Sequence, residues 1–144
     1  MAVSELTAGL DLPVDRQAPA TARRMVKTTL TAWGFLDPEW VEDAVLVADE
    51  LVANAVRHGG GRLTLQVHAD RDQVTISVAD GSAVVPQRRA ADSDGGRGLG
   101  IIEALTQRWG VQDHQGGKRV WVLLLPPAAA PADGGAPAPP RAQR

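Results

Sequence analysis

Three groups of residues have the types and spacing to do chemistry. The first lies in Glu50-Leu-Val-Ala-Asn54-Ala-Val-Arg57-His58. On a helix, at about 100° per residue, Asp43, Glu50, Asn54 and Arg57 share one polar stripe. A neutral Asn oxygen is a hard ligand suited to Mg2+, which fills the rest of its shell with water and phosphate oxygens. Glu50, one turn earlier, could orient or deprotonate a nucleophile beside a terminal phosphate. Arg57 or His58 could meet phosphate charge. The plainer alternative is a solvated helix face with a Glu–Arg pair, although Asn is a poor helix-interior residue that needs another reason to be there.

The second group is Asp80-Gly81. Asp80 continues the inward parity of Val74, Ile76 and Val78. A carboxylate at the core-facing end of an apolar strand must find a donor. It either caps amides of the following turn or accepts the exocyclic amine of adenine, with Gly81 letting the base approach the backbone. The third group is Gly95-Gly96-Arg97-Gly98-Leu99-Gly100. Clustered glycines entering a helix can turn backbone N–H groups toward phosphate oxygens, and Arg97 could add a direct contact. A flexible hinge with an exposed arginine is the competing explanation. No strand leads directly into these glycines and no Gly-Lys-Ser/Thr follows, so neither a Rossmann fingerprint nor a P-loop is present.

Positioning these groups requires a particular order of elements. Leu6, Leu10 and Leu12 predict a short strand ended by Pro13. Pro19 opens a helix with Ala22, Met25, Val26, Leu30 and Trp33 on its apolar side, stopped by Gly34. Asp37-Pro38 combines a capping oxygen with proline at the first helical position. The helix it starts runs to His58, ends at Gly59 to Gly61, and buries Val41, Ala44, Val45, Ala48, Val52 and Ala55. Alternation then gives a hairpin, with Leu63, Leu65 and Val67 facing inward on one strand and Val74, Ile76 and Val78 on the other. The stretch from Gly81 to Gly96 reads as a long loop. A third helix from Leu99 to Trp109, capped by Gly110, and a hairpin of Val111–His114 and Arg119–Leu125 across Gln115-Gly116-Gly117 complete the pattern. This predicts an α/β (α+β) two-layer sandwich, a mostly antiparallel sheet covered on one face by helices. The four tryptophans are expected in the core or at its edges.

With 144 residues and 44% hydrophobic content, the chain can build one domain with a proper core, placed at about residues 4–125. Six of the ten prolines fall between Pro126 and Arg144, without large apolar anchors, and predict a disordered tail. Lys+Arg 15 against Asp+Glu 17 leaves a net charge of −2, which argues against nucleic acid as the main ligand. With no cysteine there are no disulfides or thiolate metal sites, which fits a reducing cytosol. Three scattered histidines argue against zinc. Neither a signal peptide nor a run of ~18 apolar residues appears, so a cytoplasmic location without membrane association is expected.

Taken in order, the motifs resemble the Bergerat-type, histidine kinase-like ATPase superfamily. Glu50 to His58 looks like its N box, Asp80-Gly81-Ser82 like its first glycine box and Gly95 to Gly100 like the second. Gly117-Lys-Arg-Val-Trp121 stands where the closing strand motif belongs. Within that superfamily the wording is most similar to the anti-sigma-factor serine kinases and, more narrowly, to the small ATP-binding regulators abundant in high-GC Gram-positive bacteria. The resemblance spans nearly all of Leu6 to Leu125.

The resemblance implies ATP and Mg2+ as cofactors. It also implies phosphorylation of a serine on an antagonist protein, sequestration of a sigma factor, and dimerisation. It carries Asn54 over as the Mg2+ ligand, Glu50 as the candidate catalytic base and Asp80 as the adenine contact. Gly96, Gly98 and Gly100 become the phosphate cradle, with Arg57, Gly81, Arg97 and Leu99 completing the binding set. With no phospho-accepting helical hairpin ahead of the domain, a histidine kinase is not expected. Two departures stand out: Ser82 and Ala83 follow Asp80-Gly81 where a second glycine is usual, and Lys118-Arg119 replaces a threonine near the base. These features also leave open a non-catalytic, nucleotide-sensing module that acts through protein association alone.

Overall fold

The computed structural model describes residues 5–58, 62–81 and 98–127. Its elements are β1 (Glu5–Pro13), α1 (Ala18–Ala32), α2 (Pro38–His58), β2 (Arg62–Asp70), β3 (Gln73–Asp80), α3 (Gly98–Leu105), β4 (Arg108–His114) and β5 (Gly117–Leu124). The strands form one sheet in the order β1-β2-β3-β5-β4, and every neighbouring pair is antiparallel. The helix stop at Gly59 to Gly61, the loop after Gly81 as far as Arg97, and the tail from residue 128 onward lie outside the described residues.

Alternation determines which face of the sheet is covered. Leu63, Leu65 and Val67 of β2, Val74, Ile76 and Val78 of β3, and Val120, Val122 and Leu124 of β5 are all buried. They join one cluster with Ala22, Val26 and Leu30 of α1, the apolar side of α2, and Ile102 of α3. The strand residues between them point to the opposite face. There Thr64 donates to Asp11 at 2.8 Å and the Thr7 hydroxyl lies 2.9 Å from His68 Nδ1. Pairing of β1 with β2 also gathers Glu5, His68 and Asp70 on that face.

The predicted helix starts hold. Trp40 N donates to Asp37 Oδ1 at 2.9 Å, capping α2. Gly34 adopts φ 95° just beyond α1, a conformation that disfavours other residues. Besides the six predicted apolar positions, α2 also buries Val47 and Leu51. It packs against α1, β3 and α3 together, so one apolar stripe would be too narrow. Trp40 is buried and stacks at a tilt on Phe35, 5.4 Å between ring centres, while Trp33 and Trp109 pack partly buried against the core.

Two predicted boundaries need correction. The third helix stops at Leu105, four residues before Trp109, and Trp109 and Gly110 belong to β4. Thr106 ends the helix by donating its hydroxyl to the Ile102 carbonyl at 2.7 Å. Gln107 N then donates to the Leu123 carbonyl at 2.8 Å, drawing the chain into the sheet. Gly110 therefore ends no helix; it makes room for a neighbour. A Cβ there would stand 2.7 Å from the Trp121 ring of the paired strand. The β4–β5 turn is also one residue shorter than predicted. Gln115 (φ 49°) and Gly116 (φ 83°) form a two-residue turn with both central φ angles positive, and Gly117 already belongs to β5.

Replacing Gly110 by Ala should lower stability by about 1–3 kcal/mol, since the indole must move. Urea denaturation would measure this, and an unchanged midpoint would show that Trp121 has free room.

Candidate functional site

Packing of α2 leaves a broad solvent-facing strip, on which Glu39, Glu42 and Leu46 are also exposed. Glu50 and Asn54 are half-buried and Arg57 is exposed, one turn after another along that strip. α2 as a whole packs against both β3 and α3, the elements that carry the other two motifs. Gly98, Leu99 and Gly100 form the first turn of α3, with Leu99 and Gly100 half-buried and open space beside Gly100. Gly95, Gly96 and Arg97 lie outside the described residues.

Burial raises the pKa of Glu50 above the ordinary carboxylate value, the neighbouring Asp49 adds to the rise, and Arg57 opposes it. Asp49 itself is held by Arg23 of α1 at 2.9 Å. A carboxylate whose proton affinity is raised toward neutrality is better matched to accepting a proton in a reaction.

At the other wall, Asp80 ends β3 on its inward side, 6% exposed. Gly117 begins β5 directly beside it, and a Cβ on Gly117 would stand 2.7 Å from Gly81 Cα as well as meeting the Asp80 carbonyl. A glycine is needed for that approach. The resulting register pairs Asp80 with Lys118. Lys118 Nζ donates to both Asp80 oxygens at 3.0 Å, and the two side chains are 3% and 1% exposed. Neither expectation for Asp80, a turn cap or an adenine acceptor, included this partner. The departure at Lys118-Arg119 is therefore resolved by an ammonium standing against the carboxylate. The clue was available in parity: Lys118 continues Val120, Val122 and Leu124 inward as Asp80 continues Val74, Ile76 and Val78. Arg119 turns to the opposite face, where its Nε is buried with no hydrogen-bond partner among the described residues.

An open depression at this end of the sheet is lined by Arg62, Thr64, Ala79, Asp80, Gly81, His114 and Gln115. It contains neither Glu50 nor Asn54. Thr64 and Ala79 belong to the face away from the helices, so this depression and the α2 stripe lie on different sides of the sheet.

The chain matches the family described as the histidine kinase-like ATPase domain over residues 12–124. No curated protein matches it. Among solved structures it is similar to the crystal structure of the RsbU and RsbW domains of Rv1364c from Mycobacterium tuberculosis. The TM-score is 0.64 and the identity 22%, over 83% of this chain and 32% of that one, a likeness of fold. This chain thus spans about a third of the length of that relative. Among the described residues no helix is long and apolar enough to cross a membrane.

Two outcomes should follow from these side chains. Lys118→Met strands a buried carboxylate and should lower stability by about 3–5 kcal/mol, whereas Lys118→Met with Asp80→Leu should recover most of the loss. Equal losses in single and double variants, measured by denaturation, would contradict the pairing. For Glu50, the native state holds its proton to higher pH than the unfolded chain, so stability falls as pH rises from the usual carboxylate value through the raised one. Glu50→Gln removes that fall. Its melting temperature should gain on the wild type's across this window, and a gap independent of pH would contradict the shift.

Proposed function

The chain belongs to the histidine kinase-like ATPase domain family, and from this premise we propose that it binds ATP with Mg2+ and phosphorylates a serine of an antagonist protein. In this reading it is an anti-sigma regulator that sequesters a sigma factor. The observation that carries the proposal is the pair of half-buried polar residues Glu50 and Asn54, one turn apart on a helix that packs against α3, whose first turn is Gly98-Leu99-Gly100.

The donor set fits the metal. Asn54 and Glu50 offer hard oxygens one turn apart on α2. Asn54 would hold Mg2+, which when bound supplies charge neutralisation to the phosphate oxygens. The amides at Gly96, Gly98, Leu99 and Gly100 would receive the phosphates at the N-terminus of α3, with Arg97 and Arg57 adding positive charge. Asp80 and Gly81 would meet the base. The serine hydroxyl attacks the γ-phosphorus, the bond from that phosphorus to the bridging oxygen breaks, and ADP leaves. Glu50 takes the hydroxyl proton.

The buried Asp80–Lys118 pair favours a second reading, a nucleotide-sensing module without transfer. There the ion pair would tune occupancy, and the output would be protein association alone.

With γ-labelled ATP, Mg2+ and the cognate antagonist, the kinase reading expects label on a serine. Glu50→Gln should slow transfer by about 10²–10⁴-fold with ATP binding retained, and Asn54→Ala should weaken Mg2+-dependent nucleotide binding. Binding without transfer by the wild-type chain would favour the second reading.

A further inference from the structure

We infer that Glu5, His68 and Asp70 form a binding site for a divalent transition-metal cation, and that Zn2+ is the ion that suits them best. The site is independent of the nucleotide-binding proposal and lies elsewhere on the molecule.

Strand geometry assembles it. His68 and Asp70, two apart on β2, share the face away from the helices. The β1–β2 register places Glu5 directly across from Asp70 and Thr7 across from His68. One ligand atom from each of Glu5, His68 and Asp70 lies within 4.8 Å of the other two. Donors held by one tetrahedral Zn2+ at about 2.1 Å stand about 3.4 Å apart, so small side-chain rotations close the set. Glu5 is exposed and the other two are half-buried, which gives an ion access from solvent and leaves room for water as the remaining ligand.

Two further observations point to a cation. Like charges directly opposite each other on paired strands are destabilising. Yet among the described residues no lysine or arginine pairs with Glu5 or Asp70. One bound cation satisfies both carboxylates together. The second observation is the Thr7 hydroxyl, 2.9 Å from His68 Nδ1. A metal-ligating histidine is held in orientation by a partner on its other ring nitrogen. With Nδ1 held by Thr7, Nε2 is the nitrogen left for the ion. An imidazole beside two carboxylates favours Zn2+ or a similar transition metal over Mg2+ and Ca2+, which prefer oxygen alone. The set uses one histidine, so the scatter of the three along the chain is no obstacle.

This cluster stands well away from Asp80. From Leu63, which pairs with Asp80, β2 runs on to Asp70, about 23 Å at roughly 3.3 Å per residue. A metal bound there ties the edge strand β1 to β2, and its effect is on stability.

Calorimetric titration of the untagged, chelator-treated full chain with Zn2+ tests this, with thermal melts alongside. One equivalent should bind, and the melting temperature should rise with Zn2+ concentration. His68→Gln should weaken binding by about 100-fold or more, and Thr7→Val, which removes only the orienting hydroxyl, by about 10-fold. Glu5→Gln should raise the melting temperature of the metal-free chain, by relieving the opposed charges, and remove most of the rise that Zn2+ produces. His114→Gln, which alters a histidine outside the cluster, should change neither readout. Absence of a bound equivalent would overturn the inference, as would a Zn2+-dependent rise that survives in folded His68→Gln and Glu5→Gln or disappears in His114→Gln.

Discussion

Asp80 and Lys118 form an ion pair with almost no exposure to water at the ends of β3 and β5. Such a pair tolerates joint replacement far better than loss of one member. It therefore fixes several things together. The β3–β5 register has to hold to its last residue, because a slip of one residue would turn one charge to the opposite face. Gly117 has to remain without a side chain, since the Asp80–Gly81 backbone fills the space where a Cβ would stand. The tight turn at Gln115-Gly116 delivers Gly117 to that place, and the chain leaves the sheet at Gly81.

The opposite wall depends on how α2 is packed. With α1, β3 and α3 all against it, nearly every apolar residue of α2 is buried. The polar side chains of α2 lie on the strip left toward solvent, whose edge meets α1 through the Asp49–Arg23 pair. Glu50 sits at the margin of that strip, dry enough for its proton affinity to rise and open enough to meet a ligand. One packing arrangement thus stabilises the domain and raises the basicity of its candidate catalytic carboxylate.

Much of this was legible in the residue pattern. Asp37-Pro38 marked the start of α2, and the 2-residue alternation from Leu63 to Val78 marked a hairpin with its inner face already assigned. Glu50 and Asn54 were placed on one stripe by helical spacing alone. What escaped came from tertiary partners. Thr106 to Gly110 continue a plausible helix locally, but Leu123 offers Gln107 a carbonyl and Trp121 needs the space at Gly110, so the sheet claims the segment. Val47 and Leu51 lie outside a single apolar stripe and are buried because the helix has three neighbours. Lys118 reads in the sequence only as a departure from a motif, because its partner depends on a β3–β5 pairing between segments far apart in the chain.

In the proposed function a nucleotide lies between the α2 strip, the first turn of α3 and the Asp80–Lys118 end of the sheet. Amide chemical-shift mapping of the labelled chain during titration with Mg2+ and a non-hydrolysable ATP analogue tests this most directly. Shifts should gather at Glu50, Asn54, Asp80, Gly81, Gly98 to Gly100 and Lys118. Shifts confined to Arg62, Thr64, His114 and Gln115, or none at saturating analogue, would contradict it.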